Sequence, residues 1–161
     1  MKQENKNLSL KQDGFFNALI CSGTIIIQKR DGVKKVLLVK HGEKTVEELK
    51  WKFPGGKLLK GWNVKENAIR ETKEEIGVKP KIIATNPSVV SLWNQIPESG
   101  IEIPEFMILS NYLAEINQEP VAGKEIKKMQ WIDIENLPND CSPNIKPGIE
   151  DYKNLINSNL K

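Results

Sequence analysis

The sequence predicts an α/β fold, a mixed β-sheet packed between α-helices as an α/β/α sandwich. Three observations predict it. Short β-branched and apolar runs recur along the chain, one acidic amphipathic helix with clear end signals interrupts them, and a second helical rhythm closes the sequence. No internal repeat or low-complexity segment competes with that order. At 161 residues the chain is expected to form one domain over 1–161, enough to bury roughly two-thirds of the surface its unfolded form exposes.

Residues 1–14, MKQENKNLSLKQDG, are polar and read as a loose N-terminal segment that ends where Phe15 and Phe16 begin the apolar pattern. Asn17 to Gln28, with the run ALICSGTIII, and Lys34 to Lys40 flank the turn-like Lys29-Arg30-Asp31-Gly32, which reads as a β-hairpin. Trp51-Lys52-Phe53 reads as a short strand entering a tight turn at Pro54-Gly55-Gly56. A helix follows over Val64 to Ile76. Asn63 supplies its N-cap, Glu66 completes an N-x-x-E capping box, and Gly77 suits the left-handed closing position. At about 100° per residue, Ala68, Ile69, Thr72 and Ile76 form its buried stripe.

Beyond the helix, Lys81 to Trp93 is strand-like with an interruption near Asn86-Pro87, and Glu98-Ser99-Gly100 marks a loop. Phe106 to Ile116 and Lys128 to Ile134 supply two further strands. After the turn-like Glu135-Asn136-Leu137-Pro138, apolar residues at Ile149, Tyr152, Leu155 and Ile156 predict a helix from Ile149 to Leu160.

Composition narrows the function classes. The net charge of +3 helps attract polyphosphates but is too small to argue for nucleic-acid binding. Cys21 and Cys141 have no metal or redox spacing and read as free thiols in a reducing compartment. The N-terminus lacks an apolar signal region, and no run approaches the roughly 18 apolar residues needed to span a bilayer. A soluble, cytoplasmic protein is expected, with a small-molecule partner and neither membrane nor nucleic acid.

Chemistry concentrates in the helix. Glu71, Glu74 and Glu75 stand at i, i+3 and i+4, so they share one face and repel one another. A hard divalent cation offsets such repulsion. Mg²⁺ prefers oxygen ligands and is typically shared between carboxylates and substrate phosphates. Lys57, directly after the glycines, is a candidate phosphate contact, with a plain surface lysine as the alternative.

The segment from Gly56 to Val78 resembles the Nudix box, G-x5-E-x7-R-E-U-x-E-E-x-G-U with U aliphatic. Gly56, Arg70, Glu71, Glu74, Glu75, Gly77 and Val78 occupy its fixed positions, and Phe53-Pro54-Gly55 resembles the usual approach. Two positions depart from it: Trp62 replaces the first glutamate and Thr72 an aliphatic residue. Fixed positions over a motif of this length rarely coincide by chance and are far more specific than a lone G-x-G-x-x-G.

The resemblance implies a Nudix fold and Mg²⁺- or Mn²⁺-assisted hydrolysis of a nucleoside diphosphate linked to a further group. It implies Glu71, Glu74 and Glu75 as metal ligands, Arg70 as the residue that orients a glutamate, and Gly56 as a close backbone approach to metal or phosphate. Glu125, six residues before Trp131, resembles the loop glutamate that serves MutT-like members as a further ligand or base, with Glu102 and Glu105 as alternatives. Asn144 resembles an asparagine that reads the purine base in those enzymes, with a turn residue or helix cap as its alternative. His41 reads as a surface residue, and Trp62 and Trp93 as packing residues in preference to base-stacking ones.

The expected substrate is a nucleoside triphosphate, including oxidised purine forms, cleaved to monophosphate and pyrophosphate. ADP-ribose, a nucleotide sugar or a dinucleoside polyphosphate is the alternative within the same chemistry. A nucleotide-binding sensor with a weakened box is the alternative outside it.

Overall fold

The computed structural model describes residues 18–93 and 106–159. Its strands are β1 (Ala18–Arg30), β2 (Val33–His41), β3 (Gly55–Lys57), β4 (Lys81–Ile82), β5 (Ser88–Trp93), β6 (Phe106–Glu115) and β7 (Ile126–Asp133). The helices are α1 (Val64–Ile76) between β3 and β4, and α2 (Ile145–Asn159) after β7. Glu98 to Gly100, Glu102 and Glu105, together with Phe15, Phe16 and Leu160, lie outside the described residues.

β1 and β2 form the expected hairpin, with Ile27 opposite Val36 and Arg30 opposite Val33. Asp31 and Gly32 both have positive φ, 52° and 81°, the backbone of a tight primed turn that matches strand twist. The mixed character comes from β1, which runs parallel to β6 from Ala18 beside Phe106 to Ile26 beside Ala114. The strand order is β4-β6-β1-β2-β7, with β3 added to β1 and β5 to β6.

Alternation along the central strands builds a core on each face of this sheet. Ile25, Val36 and Leu38 point to one side and pack with Trp51, Phe53 and the α2 residues Ile145 and Ile149. Ile26, Leu37 and Val39 point to the other and pack with Ile76 of α1 and Val78. The two helices therefore cover opposite faces, which is the sandwich the sequence predicts.

Three expectations are corrected. The short strand lies on the glycines: Gly55 to Lys57 pair with β1, whereas Trp51 and Lys52 make only isolated bridges to Cys141 and Val39. On α1, Ile69 is only half-buried, and the polar Asn67 and Glu75 join the buried face. Asn67 can be buried because its Nδ2 donates to Ser22 Oγ at 2.9 Å and its Oδ1 accepts from Arg70 at 2.8 Å. Finally, α2 starts four residues before Ile149, at Ile145. Pro147 is accommodated because a proline in the first turn forfeits no intrahelical bond, and Gly148 N–H donates to the Asn144 carbonyl at 3.1 Å.

Candidate active site

The glycine strand and α1 meet at the heart of the molecule. α1 begins and ends as its sequence signals require: Asn63 Oδ1 accepts from Glu66 N–H at 2.8 Å, and Gly77 has φ of 70°. Its Thr72 hydroxyl pairs with the Thr24 hydroxyl of β1 at 2.9 Å, both fully buried. Glu71, one residue before Thr72, and Glu75, three residues after it, reach β3. A Cβ on Gly56 would stand 2.4 Å from Glu71 Oε2, so only glycine lets that carboxylate lie against the strand backbone. Gly55 N–H donates to Glu75 Oε2 at 2.9 Å.

Glu125 arrives from a loop that docks on the C-terminal end of α1. Val121 N–H donates to the Ile76 carbonyl at 2.9 Å and Gly123 N–H to the Glu75 carbonyl at 2.8 Å, using acceptors the helix leaves free. A Cβ on Gly123 would fall 2.4 Å from the Glu74 carbonyl oxygen, so a side chain there would push the loop off the helix. Gly123 thus brings Glu125 to the same side as Glu71 and Glu75.

The four glutamates are not equivalent. Glu71, Glu75 and Glu125 line one cavity of about 580 Å³. Glu74 is outside that lining with its side chain 60% exposed, held by Arg70 Nη1 at 3.1 and 3.2 Å. Arg70 Nη2 also donates to Glu71 Oε1 at 2.5 Å. Burial pushes the Glu75 carboxyl up to about 8, with the Glu71 and Glu125 charges adding to the rise and the Gly55 bond and Lys52 opposing it. His41 also turns inward, correcting the surface reading. Its Nε2 lies 3.7 Å from Glu75 Oε1, and burial together with Lys52 holds its pKa below the usual value, so the ring faces the site uncharged near neutral pH.

The rest of the cavity is built by the sheet and by the segment before α2. In-register residues of β1, β5 and β6, namely Leu19, Leu92, Met107 and Leu109, form an apolar floor. Lys52 and Lys57 stand near the carboxylates, and Asn111 and Asn144 line the same space. Both asparagines are only 7% exposed. Trp62 and Trp93 are outside this lining.

His41, Lys52 and Asn111 were not singled out by sequence reasoning as residues of this site. Asn111 left a signal, a carboxamide inside the apolar run of β6; His41 and Lys52 left none, since strand-end polar residues are common.

These residues fit a hard divalent cation. The candidate donors are oxygen atoms throughout, and Gly56 leaves space where the Glu71 carboxylate meets the backbone. Glu71, Glu75 and Glu125 are the side chains that would hold it. Among the described residues no three His, Cys, Asp or Glu side chains converge as a ready ligand group. Mg²⁺ keeps several waters and shares its remaining positions with substrate phosphates, so it does not demand an all-protein cage.

Residues 21–154 match the NUDIX domain family model. The chain belongs to the Nudix family. It is 30% identical over 90 residues to the uncharacterized Nudix hydrolase YvcI of Bacillus subtilis, covering 55% of this chain and 54% of that protein. It is also 30% identical over 133 residues to the m7GpppN-mRNA hydrolase of Saccharomyces cerevisiae, covering 81% of this chain and 12% of that one. The chain thus spans about half or less of the length of these relatives. Among solved structures, a MutT Nudix hydrolase from Burkholderia pseudomallei is similar with a TM-score of 0.62 and 25% identity, covering 83% of this chain and 96% of that one. The C. elegans Ap4A hydrolase shares the fold with a TM-score of 0.68 at 18% identity, over 87% and 98% of the two chains. No helix among the described residues is long and apolar enough to cross a membrane.

Proposed function

We propose that this Nudix chain, acting as one domain, hydrolyses a nucleoside triphosphate to monophosphate and pyrophosphate with Mg²⁺ or Mn²⁺. The observation that supports the reading is a single cavity lined by carboxylates and lysines together with an apolar floor and the side chains of Asn111 and Asn144. Such a space fits a ligand that is polyanionic on one side and a flat heterocycle with donor and acceptor edges on the other.

A cation bound between the carboxylates and the substrate would neutralise phosphate charge and lower the pKa of a bound water. In the reaction, water adds to phosphorus, the phosphoanhydride P–O bond breaks, and pyrophosphate leaves. Glu125 is our candidate base for the proton that water releases, since its carboxylate lines the cavity together with Glu75. Arg70 orients Glu71 through their 2.5 Å bond. Lys52 and Lys57 hold the phosphate oxygens, and Asn144 with Asn111 contacts the base.

The similarity to an mRNA-cap hydrolase over 81% of the chain favours, as a second reading, a substrate with another nucleotide beyond the scissile diphosphate. One assay separates the two. The purified protein is incubated with Mg²⁺ or Mn²⁺ and a panel of nucleoside triphosphates, ADP-ribose, nucleotide sugars, dinucleoside polyphosphates and capped dinucleotides, and the nucleotide products are separated and measured together with released phosphate and pyrophosphate. Pyrophosphate from triphosphates supports the first reading; turnover confined to the two-nucleotide compounds supports the second. Binding without turnover of any compound refutes both and leaves a nucleotide sensor.

A further inference from the structure

Trp62 occupies the place of the first box glutamate, and its ring lies over Arg70 with the guanidinium carbon 5.2 Å from the ring centroid. That separation is within cation–π range. The indole is 44% exposed and lies outside the cavity lining, so it covers the arginine from the solvent side and is not a wall of the substrate site.

The arginine beneath it is heavily committed. Its Nη atoms donate to Glu71, Glu74 and Asn67, while Nε is buried with no hydrogen-bond partner among the described residues. A carboxylate at position 62 would offer Nε an acceptor but would add a third negative charge beside Glu71 and Glu74, competing with them for the same cation. An aromatic face attracts the guanidinium without accepting strong in-plane bonds. The Nη groups therefore remain on Glu71, Glu74 and Asn67.

We propose that Trp62 is a positioning residue that clamps Arg70 by its ring face and thereby fixes the Glu71 carboxylate against Gly56. The departure from the box is then a replacement of one means of holding Arg70 by another. The role in metal binding rests on the reading of Glu71 as a cation ligand, whereas the clamp itself does not.

The test compares Trp62→Leu, which keeps bulk without a π face, with Trp62→Phe, which keeps a smaller π face. In the metal-free ¹⁵N-labelled protein, the Arg70 Nε–H resonance, assigned with Arg70→Lys, is expected upfield from the indole ring current and displaced on Trp62→Leu. Mn²⁺ binding by calorimetry is expected to weaken about two- to fivefold in Trp62→Leu, the range of a partly exposed cation–π contact, and to stay within twofold in Trp62→Phe. In turnover, kcat should fall with Mn²⁺ affinity while KM for nucleotide holds. An unmoved Arg70 resonance overturns the clamp, and unchanged Mn²⁺ affinity in Trp62→Leu overturns its role in positioning Glu71. If both variants lose thermal stability equally with no difference in Mn²⁺ binding, Trp62 is only packing. Wild-type protein that binds no Mn²⁺ overturns the metal reading itself, a result separable from the other three.

Discussion

Gly55 N–H donates to Glu75 Oε2 at 2.9 Å, joining the glycine strand to a carboxylate that is only 9% exposed. That single bond does not offset burial, because the Glu75 pKa still rises to about 8 from a reference of 4.5. In the metal-free protein the sign is therefore fixed. Between these two values the unfolded chain has released the proton that the folded chain retains, so stability is full below about 4.5 and is lost as pH rises through about 8. With each unit equal to about 1.4 kcal/mol, the loss is on the order of a few kcal/mol. Melting in the presence of a chelator should show Tm falling across that window. Glu75→Gln should flatten the profile and melt higher than wild type at pH 8 while losing activity; a wild-type Tm that is constant from pH 5 to 8 would falsify the assignment.

The unequal placement of the glutamates makes a second prediction. Glu71 lies in the cavity against Gly56, whereas Glu74 is on the outer side of Arg70. Glu71→Gln keeps shape and removes a charge from the reacting centre, so kcat should drop on the order of 10³-fold, equivalent to several kcal/mol of transition-state stabilisation. Glu74→Gln acts through Arg70 and should cost less. Circular dichroism and single-turnover rates on both variants check this, and a larger loss for Glu74→Gln would reverse their roles.

Asn111 and Asn144 should govern which base is accepted. Leucine at either position keeps the volume and removes the polar edge, so it should raise KM for the preferred nucleotide and level the preference among bases, each lost hydrogen bond costing about 1 kcal/mol. Hydrolysis of ribose triphosphate, which has no base, should be unchanged in Asn111→Leu. If that compound slows as much as the nucleotides do, Asn111 is structural and reads no base.

How legible the site was depends on whether a residue's role is local or comes from chain crossing. The bounds of α1 were readable because Asn63, Glu66 and Gly77 act within one turn of the helix ends. The β1–β2 hairpin was readable for the same reason. Burial of Glu75 and Asn67 was not, because it arises where α1 crosses β1 and β3, through Ser22, Gly55 and Gly56, more than forty residues away in the case of Ser22. The start of α2 at Ile145 was missed because the apolar rhythm reads only from Ile149, one turn later. The inward turn of His41 was equally invisible, since it follows from β7 and the 121–125 loop folding back onto the end of β2.

The other departure from the box, Thr72, shows how a polar residue is kept in a position that usually carries an aliphatic one. Thr24 and Thr72 are both fully buried and bond hydroxyl to hydroxyl at 2.9 Å, with the Pro54 carbonyl 3.4 Å from Thr72 Oγ1 as a weaker acceptor. Thr72→Val restores the aliphatic residue but strands the Thr24 hydroxyl in the core. A stranded hydroxyl costs about 1–3 kcal/mol, whereas replacing both partners by isosteric apolar groups is close to neutral. The single variant should melt lower than wild type by roughly 2–4 °C for each kcal/mol lost, and Thr24→Val/Thr72→Val should recover most of the difference. Equal destabilisation in single and double variants would mean that the pair is not coupled, and that strain at the crossing of α1 and β1, not hydrogen bonding, sets the cost.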